Sequence, residues 1–230
     1  PVMRGQDLMV DPDGKFIRDV VRLAIKPIWN AYNFFVLYAN ADGIKANFNT
    51  ESQNQMDQYI LTKCSDSVKS IQKALNGFDT PSAYAAIEQF FEVLNNWYIR
   101  RSKERFWKSE YDADKQSAYD TLYTILNIMC RAAAPLLPLI TEEIYRTLTD
   151  EESVHLTSFP ELDKRNPALV TIMDRIRDVC NAALSVRSSA NIRVRQPLNK
   201  IVIVGLDFLE RGTDIIKDEL NVKNIEFAHN

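Results

Sequence analysis

The clearest start of a helix in this chain is Asp79-Thr80-Pro81, where a polar capping residue precedes a proline in the first helical turn. Apolar residues then recur three and four positions apart, and the helix is predicted to extend to about Lys108. A stripe of this kind must be covered by other elements, which favours a fold of packed helices. The residues that share the stripe are Tyr84, Ile87, Phe91, Leu94 and Tyr98.

The rest of the sequence predicts further helices of the same kind. A helix from about Lys15 to Asn40 contains Pro27, which should kink it near its middle. Another, from Thr50 to Asn76, has one apolar side, and its remaining side is polar and is expected to face water. Two more are predicted at about Asp114 to Ala134 and Leu139 to Leu148, and together these elements predict a bundle of four to five helices. A further helix is predicted after the bundle, from Asn166 to about Ser188.

The end of the sequence has a different character. Ile201–Val204 is β-branched and predicts a strand, Thr213–Leu220 predicts a short helix, and Val222–Phe227 predicts a second strand. The fold class is therefore mainly α, a helix bundle with a small α/β C-terminal appendage. The predicted parts are residues 1–152 (the bundle), 153–197 (a connecting loop, a helix and a basic linker) and 198–230 (the α/β part).

Composition limits the classes of function. The 230 residues are 46% apolar with a net charge of −3, as in an ordinary globular protein. A protein that coats nucleic acid without selectivity is normally strongly basic, so any affinity for RNA must come from local patches. No apolar run is long enough to span a membrane. Cys64, Cys130 and Cys180 are odd in number and far apart, so we expect reduced thiols in a cytoplasmic protein.

No pattern in the sequence predicts catalysis. The two histidines, His155 and His229, have no neighbours that suggest a catalytic or metal-binding cluster. The six glycines are too dispersed for a phosphate-binding loop. Acidic pairs such as Glu142-Glu143 are more typical of solvated or capping groups than of a catalytic pair. We therefore expect no chemistry, no metal and no cofactor in this chain alone.

The end of the long helix, Trp97 to Lys108, contains five cations and four aromatic residues in twelve positions. Continuing the apolar stripe places Arg101 and Arg105 on its face, and Arg100, Lys103 and Trp107 on the opposite side. Guanidinium groups pair with phosphate, and exposed aromatic rings stack on unpaired bases, so the composition is typical of RNA binding. The alternative is a solvated helix end whose cations favour the helix dipole, with Trp97 and Trp107 in the core. Composition alone leaves both interpretations open.

A second basic patch lies at Val186–Lys200, with four cations and no acidic residue in fifteen positions. Arg193 and Arg195 within it could contact a phosphate backbone. The alternative is a linker whose arginines pair with the acidic bundle.

Several stretches, in order along nearly the whole chain, resemble isoleucyl-tRNA synthetases, in the part that follows the catalytic domain. The form Arg-Arg-Ser-Lys-Glu-Arg-Phe-Trp is similar to that of the eukaryotic, archaeal and some bacterial enzymes. The similar stretches are Asn96–Trp107, Pro27–Phe35 with Tyr38–Asn40, Ala134–Tyr145, Val154–Pro160, Val194–Leu198 and Glu219–Lys223.

This resemblance implies a class I anticodon-binding domain followed by the start of a C-terminal junction domain. The parent enzyme would join isoleucine to its tRNA with ATP. The family's signatures His-x-Gly-His and Lys-Met-Ser-Lys-Ser are absent, and the chain starts at Pro1, so we expect an excised fragment without ligase or editing activity. Its expected partners are the anticodon stem-loop of isoleucine tRNA and the rest of the synthetase in cis, with no membrane and no DNA.

The resemblance and the composition together predict which residues contact the tRNA. Cations would bind phosphates or bases, tryptophans would stack, and asparagines on the first helix would bond base edges. The alternatives are the same domain of a valyl, leucyl or methionyl enzyme, or a helical scaffold that binds an acidic protein. The candidates on the basic helix are Trp97, Arg100, Arg101, Lys103, Arg105 and Trp107, and weaker candidates on the first helix are Trp29, Asn30 and Asn33.

Overall fold

The computed structural model describes residues 14–205 and 212–228. They are mainly helical, as predicted, with one two-stranded parallel sheet near the C-terminal end. The chain forms two compact units, Pro1–Arg165 and Asn166–Asn230. The three-part division made from the sequence stays a prediction. No helix in the described part of the chain is long and apolar enough to cross a membrane.

The first unit is a helix bundle in which α6 is the most deeply buried element. Its apolar residues Leu122, Ile125 and Met129 are completely inaccessible to solvent. Helix α3 packs against both α4 and α6, and α7 packs against α6. The α-helices are α1 (Lys15–Val20), α2 (Lys26–Asp42), α3 (Gln55–Asn76), α4 (Thr80–Val93), α5 (Arg100–Trp107), α6 (Ala113–Ala133) and α7 (Pro138–Thr149), followed by a 3₁₀ turn at Val154–Leu156.

The predicted first helix changes its hydrogen-bonding pattern just before Pro27. The α-helical pattern gives way to a π-helical segment at Val21–Ile25, immediately before α2, and Pro27 lies in the first turn of α2. A proline lacks a backbone N–H and collides with the preceding turn, and a wider π turn is one way to accommodate it. The helix therefore continues through the proline with altered hydrogen bonding.

A second π-helical segment, Leu94–Ile99, divides the helix predicted from Asp79 to Lys108 into α4 and α5. The predicted start is confirmed, because the Asp79 carboxylate accepts a hydrogen bond from the backbone N–H of Ser82. Within the π segment the Asn95 amide donates to the carbonyl of Phe91 at 2.8 Å and to that of Pro27 at 3.0 Å. The widened turn is thereby tied to α2.

The second unit consists of helix α8 (Pro167–Ser189), strand β1 (Leu198–Val204), helix α9 (Thr213–Leu220) and strand β2 (Val222–Ala228). The strands pair in parallel, with Leu198 opposite Val222 and Ile203 opposite Phe227. Helix α8 packs on α9, where a Cβ on Gly212 would lie only 2.1 Å from Cδ1 of Ile176. This unit confirms the predicted α/β appendage, and it also includes α8.

Candidate nucleic-acid interface

The basic helix α5 has an inner and an outer side, as the sequence spacing predicted. On the inner side Phe106 is buried, as is Tyr98 in the π-helical segment that precedes the helix. On the outer side Arg100 is exposed, Lys103 is half-buried and the side chain of Trp107 is 55% exposed. The interpretation that placed Trp107 in the core is therefore wrong.

The outer side carries an aromatic and cationic surface formed by Tyr38, Lys103 and Trp107, which we call the α5 platform. The Nζ atom of Lys103 lies 5.5 Å from the centre of the Trp107 ring, within the range of a cation–π contact. The ring of Tyr38, from α2, lies 6.4 Å from that of Trp107 at an angle of 47°. A large exposed indole beside a cation is a surface on which an unpaired base can stack while its phosphate meets the ammonium group.

Arg105 has a different environment from the other cations of this helix. Its side chain is only 14% exposed, and its guanidinium makes a bidentate ion pair with Asp57 of α3, at 2.7 and 2.9 Å. Its Nε donates to the carboxylate of Asp114 at 3.0 Å. The sequence spacing placed Arg105 correctly on the inner face, but its partner is an internal carboxylate. Arg105 is therefore not presented to a phosphate in this structure.

Asp57 is completely buried and accepts several further hydrogen bonds. The hydroxyl of Tyr98 donates to it at 2.8 Å, and the hydroxyls of Ser52 and Ser117 donate at 2.8 and 3.1 Å. A buried carboxylate is tolerated when it is ion-paired and fully hydrogen-bonded. The polar side of α3 was predicted to face water, and this is wrong at Asp57 and at the equally buried Ser65.

The pKa values of this network keep Arg105 and Tyr98 protonated. Burial by itself lowers the pKa of the Arg105 guanidinium, but the hydrogen bonds and charge of Asp57 outweigh it and raise that pKa. Burial, together with the negative charge of Asp57, raises the pKa of the Tyr98 hydroxyl well above its usual range. Both groups therefore donate to Asp57 across the physiological range of pH.

Acid is expected to weaken this network through Asp114. Burial alone would raise the pKa of its carboxyl, but the hydrogen bond and charge of Arg105 outweigh burial and lower it. A carboxyl with a lowered folded pKa contributes stability above its unfolded pKa of about 3.9, and this is lost as the pH falls through the folded value. The free energy of unfolding, from urea titrations at each pH, should therefore fall as the pH is lowered below about 4.

The Asp114→Asn variant should show a shallower fall over that interval than the unmodified chain. The exposed Glu152 provides a control, and Glu152→Gln should keep the original slope. If the free energy of unfolding falls equally steeply with pH in the unmodified chain and in Asp114→Asn, Asp114 is not the group responsible.

Two other predicted contact residues, Trp97 and Arg101, lie against each other. The Trp97 ring is only 4% exposed, so it is not available to stack on a base, and here the interpretation as a core residue holds. The Arg101 guanidinium carbon lies 5.5 Å from the centre of that ring. Arg101 is half-buried and thus partly covers the tryptophan.

The weaker candidates on α2 are at its surface. Asn30 and Asn33 are exposed, and Trp29 is 38% exposed with its ring 5.4 Å from that of Tyr32. Arg193 and Arg195 are exposed in the second unit. Contact with RNA stays a prediction for each of these residues.

No group of side chains in the described part of the chain has the arrangement of a metal site. His155 is exposed in the 3₁₀ turn, and His229 lies outside the described residues. The three cysteines are buried thiols, and burial raises the pKa of Cys130 to about 12. A buried thiol with so high a pKa is unreactive.

Comparison with known families decides what kind of domain this is. The model of the family "Anticodon-binding domain of tRNA ligase" matches residues 57–203, which is more than half of the chain and includes most of α3, all of α4 to α8 and most of β1. The chain belongs to this family. The prediction of a synthetase anticodon-binding domain is thereby confirmed, and Lys103 and Trp107 of the α5 platform lie within the matched residues.

Curated relatives of this anticodon-binding domain carry the name isoleucine–tRNA ligase. That of Rickettsia bellii (strain OSU 85-389) is 50% identical over 97% of the chain, and that of Wolbachia pipientis wMel is 45% identical over 99%. That of Rickettsia felis is 46% identical over 97% of the chain. The chain spans about a quarter of the length of these relatives, 23% for the first two and 24% for the third.

Proposed function

We propose that this chain is the tRNA-recognition part of an isoleucine–tRNA ligase and that it binds the anticodon stem-loop of isoleucine tRNA. The observation that carries the proposal is the 50% identity to an isoleucine–tRNA ligase over 97% of the chain, together with the anticodon-binding family match. The same identity favours isoleucine over the valyl, leucyl and methionyl alternatives.

Within this proposal the chain supplies recognition and the rest of the ligase supplies chemistry. The relatives are about four times as long as this chain, and joining isoleucine to tRNA with ATP belongs to the parent protein. ATP would be bound by the parent protein, and the role of this chain in the cytoplasm is to position the tRNA for a catalytic domain in cis. An isolated anticodon-binding domain is expected to bind more weakly than the whole enzyme, because it lacks the contacts with the acceptor end.

The α5 platform is the part of the surface with the chemistry that an anticodon loop requires. Trp107 offers an exposed ring to an unpaired base, and Lys103 and Arg100 offer cations to the adjacent phosphates. Asn30 and Asn33, exposed on α2, carry amides that can donate to and accept from base edges. Arg105 takes no part in this contact, because Asp57 holds it inside the bundle.

Replacing Trp107 with alanine tests the platform. Stacking of one base on an aromatic ring contributes about 1–3 kcal/mol, so Trp107→Ala should weaken binding of an isoleucine anticodon stem-loop by about 5-fold to 150-fold. The affinity is measured by fluorescence titration at constant salt.

Phe78 offers a matched control, since it is an aromatic residue that is 92% exposed in the turn between α3 and α4. The Phe78→Ala variant removes a comparable exposed ring and should leave the affinity unchanged. If both variants bind as the unmodified chain does, the loop does not stack on Trp107.

A further inference from the structure

The backbone of the turn between α8 and β1 is held by several hydrogen bonds although the turn is exposed and basic. Helix α8 ends at Ser189, and two positions later Asn191 adopts a left-handed φ of 57°. The N–H of Ile192 then bonds the carbonyl of Arg187 at 2.9 Å. A tight turn follows in which the N–H of Gln196 bonds the carbonyl of Arg193 at 3.0 Å. We call residues 193–196 the arginine turn.

Arg187, in the last turn of α8, holds the arginine turn from inside. Its side chain is buried, with only 5% of the residue exposed. Its Nη2 donates to the carbonyl of Arg193 at 2.6 Å, to that of Gln196 at 2.5 Å and to that of Val194 at 3.3 Å. Its Nη1 donates to the carbonyl of Leu220, at the end of α9, at 3.3 Å. One guanidinium therefore fixes the turn to the body of the second unit.

Asn221 completes this arrangement from the other side. Its amide donates to the carbonyl of Val194 at 3.0 Å and to that of Arg195 at 3.2 Å. Every carbonyl of the arginine turn is thus bonded by a side chain of the same unit. An asparagine accepts the left-handed φ of 49° found here more readily than most residues.

The carbonyls of the arginine turn face Arg187 and Asn221, whereas its arginine side chains face solvent. Arg193 and Arg195 are both exposed, and neither forms an ion pair with any residue in the described ranges 14–205 and 212–228. No acidic residue occurs from Val186 to Lys200. This environment contrasts with that of Arg105, whose charge is satisfied inside the bundle. The turn therefore presents two charged side chains from a backbone that is held in place by hydrogen bonds.

We propose that the arginine turn is a preformed binding site for the phosphate backbone of RNA, with Arg193 and Arg195 as contacts and Arg187 and Asn221 as positioning residues. The inference rests on the proposed function for the identity of the ligand, which is tRNA. Guanidinium groups bind phosphate oxygens in bidentate geometry, and a backbone that is already ordered loses little entropy on binding. The site recognises backbone charge, so it adds affinity without regard to base sequence.

Removing the two contact charges tests the site. Each phosphate contact contributes about 0.7 to 0.9 to the slope of log affinity against log salt, so Arg193→Gln/Arg195→Gln should make the slope for isoleucine tRNA shallower by about 1.4 to 1.8. If the two proteins bind equally at 1 M salt, this change of slope corresponds at 0.1 M salt to a loss of affinity of about 25-fold to 60-fold. The backbone bonds of the turn use carbonyls, so these substitutions leave its fold intact.

The exposed Lys223 on β2 provides a charge control. Lys223→Gln should leave the slope within error of that of the unmodified chain. An unchanged slope in Arg193→Gln/Arg195→Gln, while the unmodified chain still prefers the isoleucine anticodon, would overturn this inference alone. A chain that binds no tRNA at all would instead contradict the proposed function.

Arg187→Lys tests the positioning role, because it keeps the charge but cannot bond all the carbonyls that the guanidinium reaches. The slope of log affinity against log salt should become shallower, toward that of Arg193→Gln/Arg195→Gln, although no charge has been removed. An unchanged slope in Arg187→Lys would overturn the positioning role. If Arg187→Lys fails to fold, Asn221→Gly, which removes the amide contacts to the turn and tolerates the left-handed φ, is measured with the same expected result.

Discussion

Replacing Arg105 with methionine is expected to lower the free energy of unfolding by about 3–5 kcal/mol. The substitution leaves the carboxylate of Asp57 buried with its hydroxyl donors but without its ion pair. Removing one partner of a buried ion pair lowers the free energy of unfolding strongly, because the remaining charge is buried without compensation. Replacing both partners by apolar residues would cost far less. The measurement is urea unfolding of both proteins, followed by circular dichroism.

Arg100 is the matched control for that experiment, since it lies five positions earlier on the same helix and is exposed. Arg100→Met should change the free energy of unfolding by no more than about 0.5 kcal/mol. A loss in Arg105→Met as small as that of Arg100→Met would show that Arg105 is not the internal partner of Asp57.

Trp97→Ala is also expected to cost about 3–5 kcal/mol of folding free energy, because it removes the largest kind of side chain from a site that is only 4% exposed. Trp97→Phe should cost less, since a ring remains beneath the Arg101 guanidinium. The measurement is again urea unfolding.

The two tryptophans should respond in opposite ways. Trp107→Ala is expected to leave stability nearly unchanged and to weaken RNA binding, whereas Trp97→Ala weakens folding. Should Trp97→Ala leave stability unchanged and reduce affinity as strongly as Trp107→Ala, Trp97 would be a contact residue after all.

The helices of the bundle could be predicted because their signals are local. The carboxylate of Asp79 caps α4 as its sequence context indicates, and Tyr84 and Tyr98 are buried on the side that the spacing gave. The same spacing separated the inner Arg105 from the outer Lys103 and Trp107.

The partner of Arg105 could not be predicted, because Asp57 is forty-eight positions away in sequence. On α3 a buried Asp57 resembles any solvated residue of a polar helix side, and only the packing of α5 and α6 reveals its role. The basic patch that contains Arg193 and Arg195 could be recognised in the sequence, but the positioning role of Arg187 could not, for a similar reason. A charged Arg187 in a basic stretch suggests another surface cation, whereas the fold buries it against backbone carbonyls.

The two π-helical segments also could not be predicted from the spacing of apolar residues. A π turn shifts the side-chain phase by less than one α-helical turn, and neither Val21–Ile25 nor Leu94–Ile99 has a composition that distinguishes it from an α-helix. A tertiary contact links the two segments. The amide of Asn95, in the second segment, donates a hydrogen bond to the carbonyl of Pro27, which follows the first.

The most direct test of the account is a titration of this chain with the anticodon stem-loop of isoleucine tRNA beside a stem-loop with an unrelated anticodon, over a series of salt concentrations. We expect the isoleucine stem-loop to bind at least about tenfold more tightly, a difference of ~1.4 kcal/mol, with the ratio maintained as salt increases. Equal affinities that fall together with salt would contradict anticodon recognition and leave only a basic surface.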